Sequence, residues 1–109
     1  MKIPFQTLVD QISTCAIVVL DAEGIVQSWN GGARAISGYM DHEAIGRPLS
    51  SFLLEDLVEK AVKSGSASMQ CWLMRKNGDP LWTANVVQTV VADRSSTSLC
   101  WVCQDPFGI

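Results

Sequence analysis

The residues of this 109-residue chain best suited to chemistry are its four cysteines, Cys15, Cys71, Cys100 and Cys103. Thiolates bind zinc and exchange disulfides, and Cys100-x-x-Cys103 has the spacing of one half of a zinc site. We interpret that pair as part of a strand, where side chains three residues apart point to opposite faces. Cys15 and Cys71 supply no second pair. The pattern favours reduced thiols that pack as small hydrophobic side chains.

The other polar residues give little support for an enzyme. The only histidine, His42, lies between Asp41 and Glu43 at the start of a short predicted helix, which favours an exposed side chain over a metal ligand. The chain has no glycine-rich phosphate loop and no serine, histidine and acid pattern. A net charge of −3 and a pI near 4.9 argue against a phosphate-binding surface. We predict a non-enzymatic domain without a metal site or a nucleic-acid partner.

The bulk composition predicts one folded domain. The chain is 48% hydrophobic and 17% charged, and its length is sufficient for a single buried core. It contains no apolar run of about 20 residues and no signal-peptide pattern. We therefore expect a cytoplasmic domain that makes no direct membrane contact, whether or not a longer parent protein is membrane-anchored.

The stretch that follows the first predicted strand should position any site. Asp21 and Gly24 favour a hairpin turn, because Asp bonds nearby backbone and Gly adopts positive φ without strain. Asn30 can cap the next helix, where we expect Gly31 and Gly32 to let the backbone bend tightly. The elements predicted here are strands at Ala16 to Leu20 and Ile25 to Trp29, a helix from Asn30 to Gly38 and a short turn from Asp41 to Ile45.

Three strands and two further helices complete the predicted α+β domain. Phe5, Leu8, Val9 and Ile12 recur at helical spacing, which predicts an amphipathic N-terminal helix. The remaining elements are a longer helix from Leu53 to Ser64, strands at Ser68 to Met74, Leu81 to Ala92 and Ser98 to Gln104, and a polar loop from Asp93 to Thr97.

The order and spacing of several short motifs resemble those of a PAS domain over about residues 5 to 105. The motifs are Asp21-x-x-Gly24-Ile25, Trp29-Asn30, Gly38-Tyr39, Glu43-x-Ile45-Gly46-Arg47, Arg75-Lys76-Asn77-Gly78 and Leu81-Trp82. The resemblance implies a PAS fold, in which a five-stranded antiparallel sheet carries short helices and one longer helix on one face. It also implies a sensory or interaction module within a larger signalling protein.

Strand alternation and this resemblance together suggest which side chains would line a ligand pocket. A core filled by the same side chains is the alternative. The candidates are Ile36, Leu49, Leu53, Leu57, Val58, Cys71, Leu73, Thr83, Asn85, Val87, Trp101 and Cys103. Met69 lies on the same predicted inward face as Cys71 and Leu73.

The cofactors of related domains do not match these residues. Light-sensing relatives carry a reactive cysteine where this chain has Leu49, and flavin-binding amides where it has Leu73, Thr83 and Cys103. Haem-binding relatives use a histidine on the long helix, and Leu53 to Ser64 contains none. We predict no flavin or haem, and a small apolar ligand if the pocket holds one.

The resemblance implies a sensor that relays a signal to an attached effector, most simply a histidine kinase, with the signal leaving at Asp105. Pro106 would prevent a helix from continuing directly from that point. The alternative is a ligand-free homodimerisation module with Phe5, Leu8, Val9 and Ile12 at its interface. We divide the chain into an N-terminal helix (1–14), a PAS core (15–105) and the start of a linker (106–109).

Overall fold

The computed structural model describes residues 5–93 and 96–106 and contains an antiparallel sheet in the order β1-β4-β3-β2. The strands are β1 (Ala16–Leu20), β2 (Ser66–Met74), β3 (Pro80–Asp93) and β4 (Ser96–Gln104). The helices are α1 (Phe5–Gln11), α2 (Gly31–Ser37), α3 (Asp41–Ala44) and α4 (Val58–Ser64), with a 3₁₀ turn at Leu49–Ser51. The first strand therefore pairs with the last, so that the two ends of the domain meet.

The predicted fifth strand, Ile25 to Trp29, is wrong. In the described part of the chain it is reduced to two isolated bridges, Leu20 with Val26 and Ile25 with Pro48. The Ser28 hydroxyl accepts a hydrogen bond from the Val19 N–H at 3.0 Å. In a continuous strand pair, a backbone carbonyl would accept this hydrogen bond instead. A side chain thus ends the ladder, and the described sheet has four strands.

The longer helix is shorter than predicted, because it begins at Val58 rather than at Leu53. Leu53 forms a bridge with Leu73, and the Met74 N–H donates to the Phe52 carbonyl at 2.8 Å. This backbone pairing holds the segment before α4 against the edge of β2. Leu53 therefore belongs to a strand-like bridge and not to the helix.

The strands extend further than the sequence predicted. β2 begins at Ser66. β3 extends to Asp93 and β4 begins at Ser96, so both strands include residues of the predicted loop from Asp93 to Thr97. The middle of that loop lies outside the described residues. Alternating side chains on all four strands face a single core beneath the helices. Its largest fully buried members are Trp101, Phe52, Leu20, Leu49, Leu57, Leu73 and Leu99.

The two turns around α2 agree with their predicted chemistry. The Asn30 side chain accepts the Ala33 N–H at 3.0 Å, and Gly38 ends the helix at φ 81°. Gly31 and Gly32 have another role than the predicted tight bend, because neither has positive φ. A Cβ on Gly32 would lie 1.8 Å from the Cys15 carbonyl oxygen, so a close backbone approach requires glycine there.

The N-terminal helix is present at Phe5–Gln11, although the Phe5 side chain lies outside the described residues. The Leu8 side chain is 49% exposed, and Val9 and Ile12 are half-buried. The amphipathic character of α1 stays a prediction.

Candidate functional site

The predicted pocket residues come together beneath the inner face of the sheet. Ile36 and Val58 are half-buried at its margin, and the others are buried. The buried members are Leu49, Leu53, Leu57, Cys71, Leu73, Thr83, Asn85, Val87, Trp101 and Cys103. The strand residues of this set are buried, as alternation predicted, and its apolar members belong to one continuous core. Their use as a ligand pocket stays a prediction.

The centre of this core is a buried polar cluster built around Asn85 on β3. The Trp101 Nε1–H on β4 donates to Asn85 Oδ1 at 2.9 Å. Asn85 Nδ2 donates to Thr83 Oγ1 at 2.9 Å, and the Thr83 hydroxyl donates to the Cys71 carbonyl on β2 at 2.9 Å. Hydrogen bonds from side chains therefore connect three neighbouring strands within the core.

Two thiols border this cluster and are poorly suited to reaction. Asn85 Nδ2 lies 3.4 Å from Cys71 Sγ, and Cys103 pairs with Asn85 in the ladder between β3 and β4. Burial raises the pKa of the Cys103 thiol from 9.0 to about 12, although a hydrogen bond with Thr83 opposes the shift. Burial also raises the pKa of Cys71. Both sulfurs remain protonated at neutral pH, a state that is neither nucleophilic nor suited to a metal.

Aromatic rings fill the space beside the polar cluster. The Trp101 ring centroid lies 6.1 Å from that of Trp29, which lies 5.2 Å from that of Phe52. Tyr39 meets Phe52 edge to face at 5.3 Å, and Trp29 Nε1 donates to the Tyr39 carbonyl at 2.9 Å. These rings pack in and against the core between the sheet and the helices.

These residues do not fit a flavin. Among the residues that the structure describes, every buried side-chain nitrogen and oxygen already has a hydrogen-bond partner. The amide of Asn85 is engaged by Thr83 and Trp101, so it offers no free group to a ring edge. Leu49, in the position of the reactive cysteine of light sensors, is buried and has no thiol.

No metal site forms in the described ranges 5–93 and 96–106, where no three His, Cys, Asp or Glu side chains cluster. Cys103 is buried on the inner face, whereas Cys100 is partly exposed on the other, as the strand alternation predicted. Within the same ranges, no helix is long and apolar enough to cross a bilayer.

Asp105 lies directly after β4, in a groove of about 430 Å³ at one edge of the domain. Ser13 and Thr14, which precede β1, line the same groove, as does Arg75 from the turn after β2. The predicted exit therefore adjoins the segment through which the chain enters the domain.

Asn30, predicted as a helix cap, also connects distant segments of the chain. Asn30 Nδ2 lies 3.1 Å from the Val9 carbonyl, 3.3 Å from that of Ile12 and 3.2 Å from that of Cys15. Its Oδ1 also accepts the Ile17 N–H at 2.9 Å. One buried amide thus joins α1, β1 and α2. The Trp29-Asn30 motif was the available signal, but a short-range cap gave no indication of the distant partners.

Arg34 forms a second link, which the sequence pattern did not reveal. Its guanidinium lies 3.1 Å from Asp10 of α1 and 2.8 Å from Asp41 of α3. Hydrogen bonds to Asp41 and Asp10 raise the pKa of Arg34. A third ion pair, between Glu43 and Lys76, joins α3 to the turn after β2, and the hydrogen bond from Lys76 lowers the pKa of Glu43.

Comparison with known proteins identifies the family. A family model described as PAS fold matches residues 5–106. The chain belongs to the PAS family. The crystal structure of the PAS domain of a protein from Colwellia psychrerythraea has a TM-score of 0.80 at 22% identity and covers 92% of each chain. At that identity the likeness supports the PAS fold alone.

Two curated relatives contain similar PAS segments. Two-component system protein A of Emericella nidulans is 28% identical over an alignment of 100 residues that covers 84% of this chain and 14% of the relative. A phytochrome of Picea abies is 24% identical over an alignment of 108 residues that covers 87% of this chain and 10% of the relative. The chain thus spans a small part of the curated proteins that it matches.

Proposed function

We propose that this PAS domain is the sensory module of a signal-transduction protein and relays a signal to an attached effector. The effector favoured by the two-component relative is a histidine kinase. The observation that carries the proposal is the buried cluster in which Asn85 joins β3 to Trp101 on β4, the strand that ends just before Asp105. A change in core packing would shift β4 and the chain segment that leaves it.

The signal would arise from a small apolar ligand or from the state of a partner protein. An apolar ligand suits the leucine-rich surroundings of the cluster, and it would have to displace side chains such as Trp101, which is 1% exposed. We propose residues 15–105 as the sensing core, 1–14 as the N-terminal helix and 106–109 as the start of a linker to the effector. Catalysis would then lie in another domain of the parent protein.

An Asp105→Ala variant of the full-length parent protein tests this relay. We expect altered effector output, because Asp105 directly follows β4 and lines one groove with Ser13 and Thr14 of the segment before β1. Gln104→Ala is the matched control, since Gln104 is the exposed residue immediately before it. Both variants should have the same midpoint urea concentration for unfolding as the wild type. Wild-type output from a folded Asp105→Ala protein would contradict the proposed exit.

The second candidate is a homodimerisation module that uses α1. Leu8 is 49% exposed on this helix, while Val9 and Ile12 are half-buried, so Leu8 would contribute the contact available to a second copy. If α1 carries the interface, Leu8→Glu should convert a dimer to a monomer in multi-angle light scattering. Val91→Glu, at a residue 66% exposed on β3, is the control. A dimer that survives Leu8→Glu would exclude this interface.

A further inference from the structure

A groove lies beside the turn at Gly24 and the start of α4, and we name it the α4 groove. Its volume is about 480 Å³, and Leu49, Leu53 and Leu57 form a floor whose side chains are each 1–2% exposed. A Cβ on Gly24 would lie 2.8 Å from Val58, so the turn packs directly against α4 at one end of the groove. The floor is therefore fixed by the domain core.

Exposed apolar side chains extend the surface beyond the groove. Leu54 on the rim is 64% exposed, and Val62 on α4 is 55% exposed. Val58 lies between them at spacings of four residues, which places Val58 and Val62 on the same face of α4. Single exposed leucines and valines are ordinary, but here they form a strip joined to a preformed groove. A strip of this length suits a polypeptide segment better than a small molecule.

The rim of the groove is acidic throughout. Its charged residues are Glu23, Glu55, Asp56 and Glu59, and no basic residue among those that the structure describes lines the groove. Glu59 pairs with Lys63 at 2.9 Å, and Asp56 accepts the Glu59 N–H at 3.2 Å. Neither Glu23 nor Glu55 forms a salt bridge with another described residue. Two carboxylates beside an apolar floor are thus available to a cationic partner.

We propose that the α4 groove docks a basic amphipathic helix of a partner polypeptide. Leucine-type side chains of the partner would fill the floor between Leu53 and Val58, and its Lys or Arg residues would meet Glu23 and Glu55. A second copy of this chain is a poor occupant, because a symmetric contact would place each acidic rim against the other. Nucleic acid and anionic lipid surfaces are repelled for the same reason.

The probe is a dye-labelled synthetic peptide of about 14 residues, with Leu at positions i, i+4, i+7 and i+11 and Lys elsewhere. We expect saturable binding by fluorescence anisotropy, and amide shifts in NMR spectra of the 109-residue chain centred on Leu54 and α4. Two control peptides scramble the leucines off a common face or replace every Lys by Glu. Both should bind much more weakly.

Matched variants distinguish peptide binding in the groove from nonspecific hydrophobic and electrostatic binding. Leu54→Ser should weaken binding about tenfold, because the partner loses an apolar contact. Glu55→Gln should weaken it about threefold at low salt and less at high salt. The controls on the sheet surface are Val90→Ser, at a residue 47% exposed, and Gln88→Lys, which changes net charge by the same amount as Glu55→Gln. Both controls should stay within about twofold of the wild type.

Several outcomes would overturn the proposal. They are no binding at millimolar peptide, amide shifts centred on the sheet surface, equal binding of the scrambled peptide, and Leu54→Ser binding as tightly as the wild type. Binding to phosphatidylserine vesicles that Leu54→Ser abolishes would assign the groove to a membrane instead.

Discussion

At the scale of single residues, Asn85 holds the buried polar cluster together. Asn85→Leu would leave the Trp101 indole N–H without its acceptor and remove the hydrogen bond that Thr83 Oγ1 accepts. We expect a loss of about 3 kcal/mol in the free energy of unfolding, because buried groups would remain unpaired. Urea unfolding measures the loss. Gln88→Leu, at an exposed position of the same strand, should change stability little, and an equal loss there would contradict this account.

The buried thiol of Cys103 makes stability depend on alkaline pH. Its pKa rises from 9.0 to about 12 on folding, so the folded protein holds this proton more tightly than the unfolded chain. The contribution is complete below pH 9.0 and is lost as pH rises towards about 12. The slope approaches about 1.4 kcal/mol per pH unit within that window.

Urea unfolding at several alkaline pH values, for the wild type and Cys103→Ala, isolates this effect from the titration of lysines and tyrosine. We expect the difference in stability between the two proteins to shrink as pH rises. Burial also raises the pKa of the partly buried Cys100, so Cys100→Ala should change the pH profile in the same direction but less than Cys103→Ala. Parallel pH profiles for the wild type and Cys103→Ala would show that Cys103 titrates normally.

At the scale of elements, the contact between α2 and the segment before β1 depends on Gly32. The Cβ of Gly32→Ala would meet the Cys15 carbonyl oxygen at 1.8 Å and the Ala16 nitrogen at 3.0 Å, both backbone atoms. We expect destabilisation of about 3 kcal/mol or more in urea, because backbone must move to relieve the clash. Gly46→Ala should cost only about 1 kcal/mol, since its site is open and only its φ of +94° is unfavourable. Equal losses would contradict the close contact.

The elements that were predictable from sequence are those whose signals are local. The cap at Asn30, the end of α2 at Gly38 and the alternation along β2 to β4 all depend on neighbouring residues. The errors arose where distant groups compete for backbone. The Ser28 hydroxyl interrupts the fifth strand, and pairing of Leu53 with β2 removes the first turn of the long helix.

The candidate site likewise has features that were predictable from sequence and features that were not. The inward face of each strand followed from alternation, and so did the burial of Trp101 and Cys103. The network that Asn85 makes was not predictable, because it depends on the register between β3 and β4. The links from Asn30 and Arg34 to α1 were also missed, since their partners lie 21 and 24 residues away in sequence.

At the scale of the whole molecule, the central question is whether the interior is filled or available to a ligand. Trp101 is 1% exposed and packs between Trp29 and the polar cluster, so its ring fills space among the candidate pocket residues. Trp101→Ala should lower the free energy of unfolding by about 4 kcal/mol, because a cavity of indole size opens and Asn85 Oδ1 loses its donor.

Added indole should refill that cavity. At ten times its dissociation constant it should restore about 1.4 kcal/mol to Trp101→Ala, which a thermal melt detects as a higher Tm. Trp72→Ala is the control, since Trp72 is 45% exposed and its loss leaves no enclosed space. Indole should leave the Tm of Trp72→Ala and of the wild type unchanged. If indole instead raises the Tm of the wild type, the core has room for a ligand with Trp101 in place, and sensing would not require displacement of this side chain.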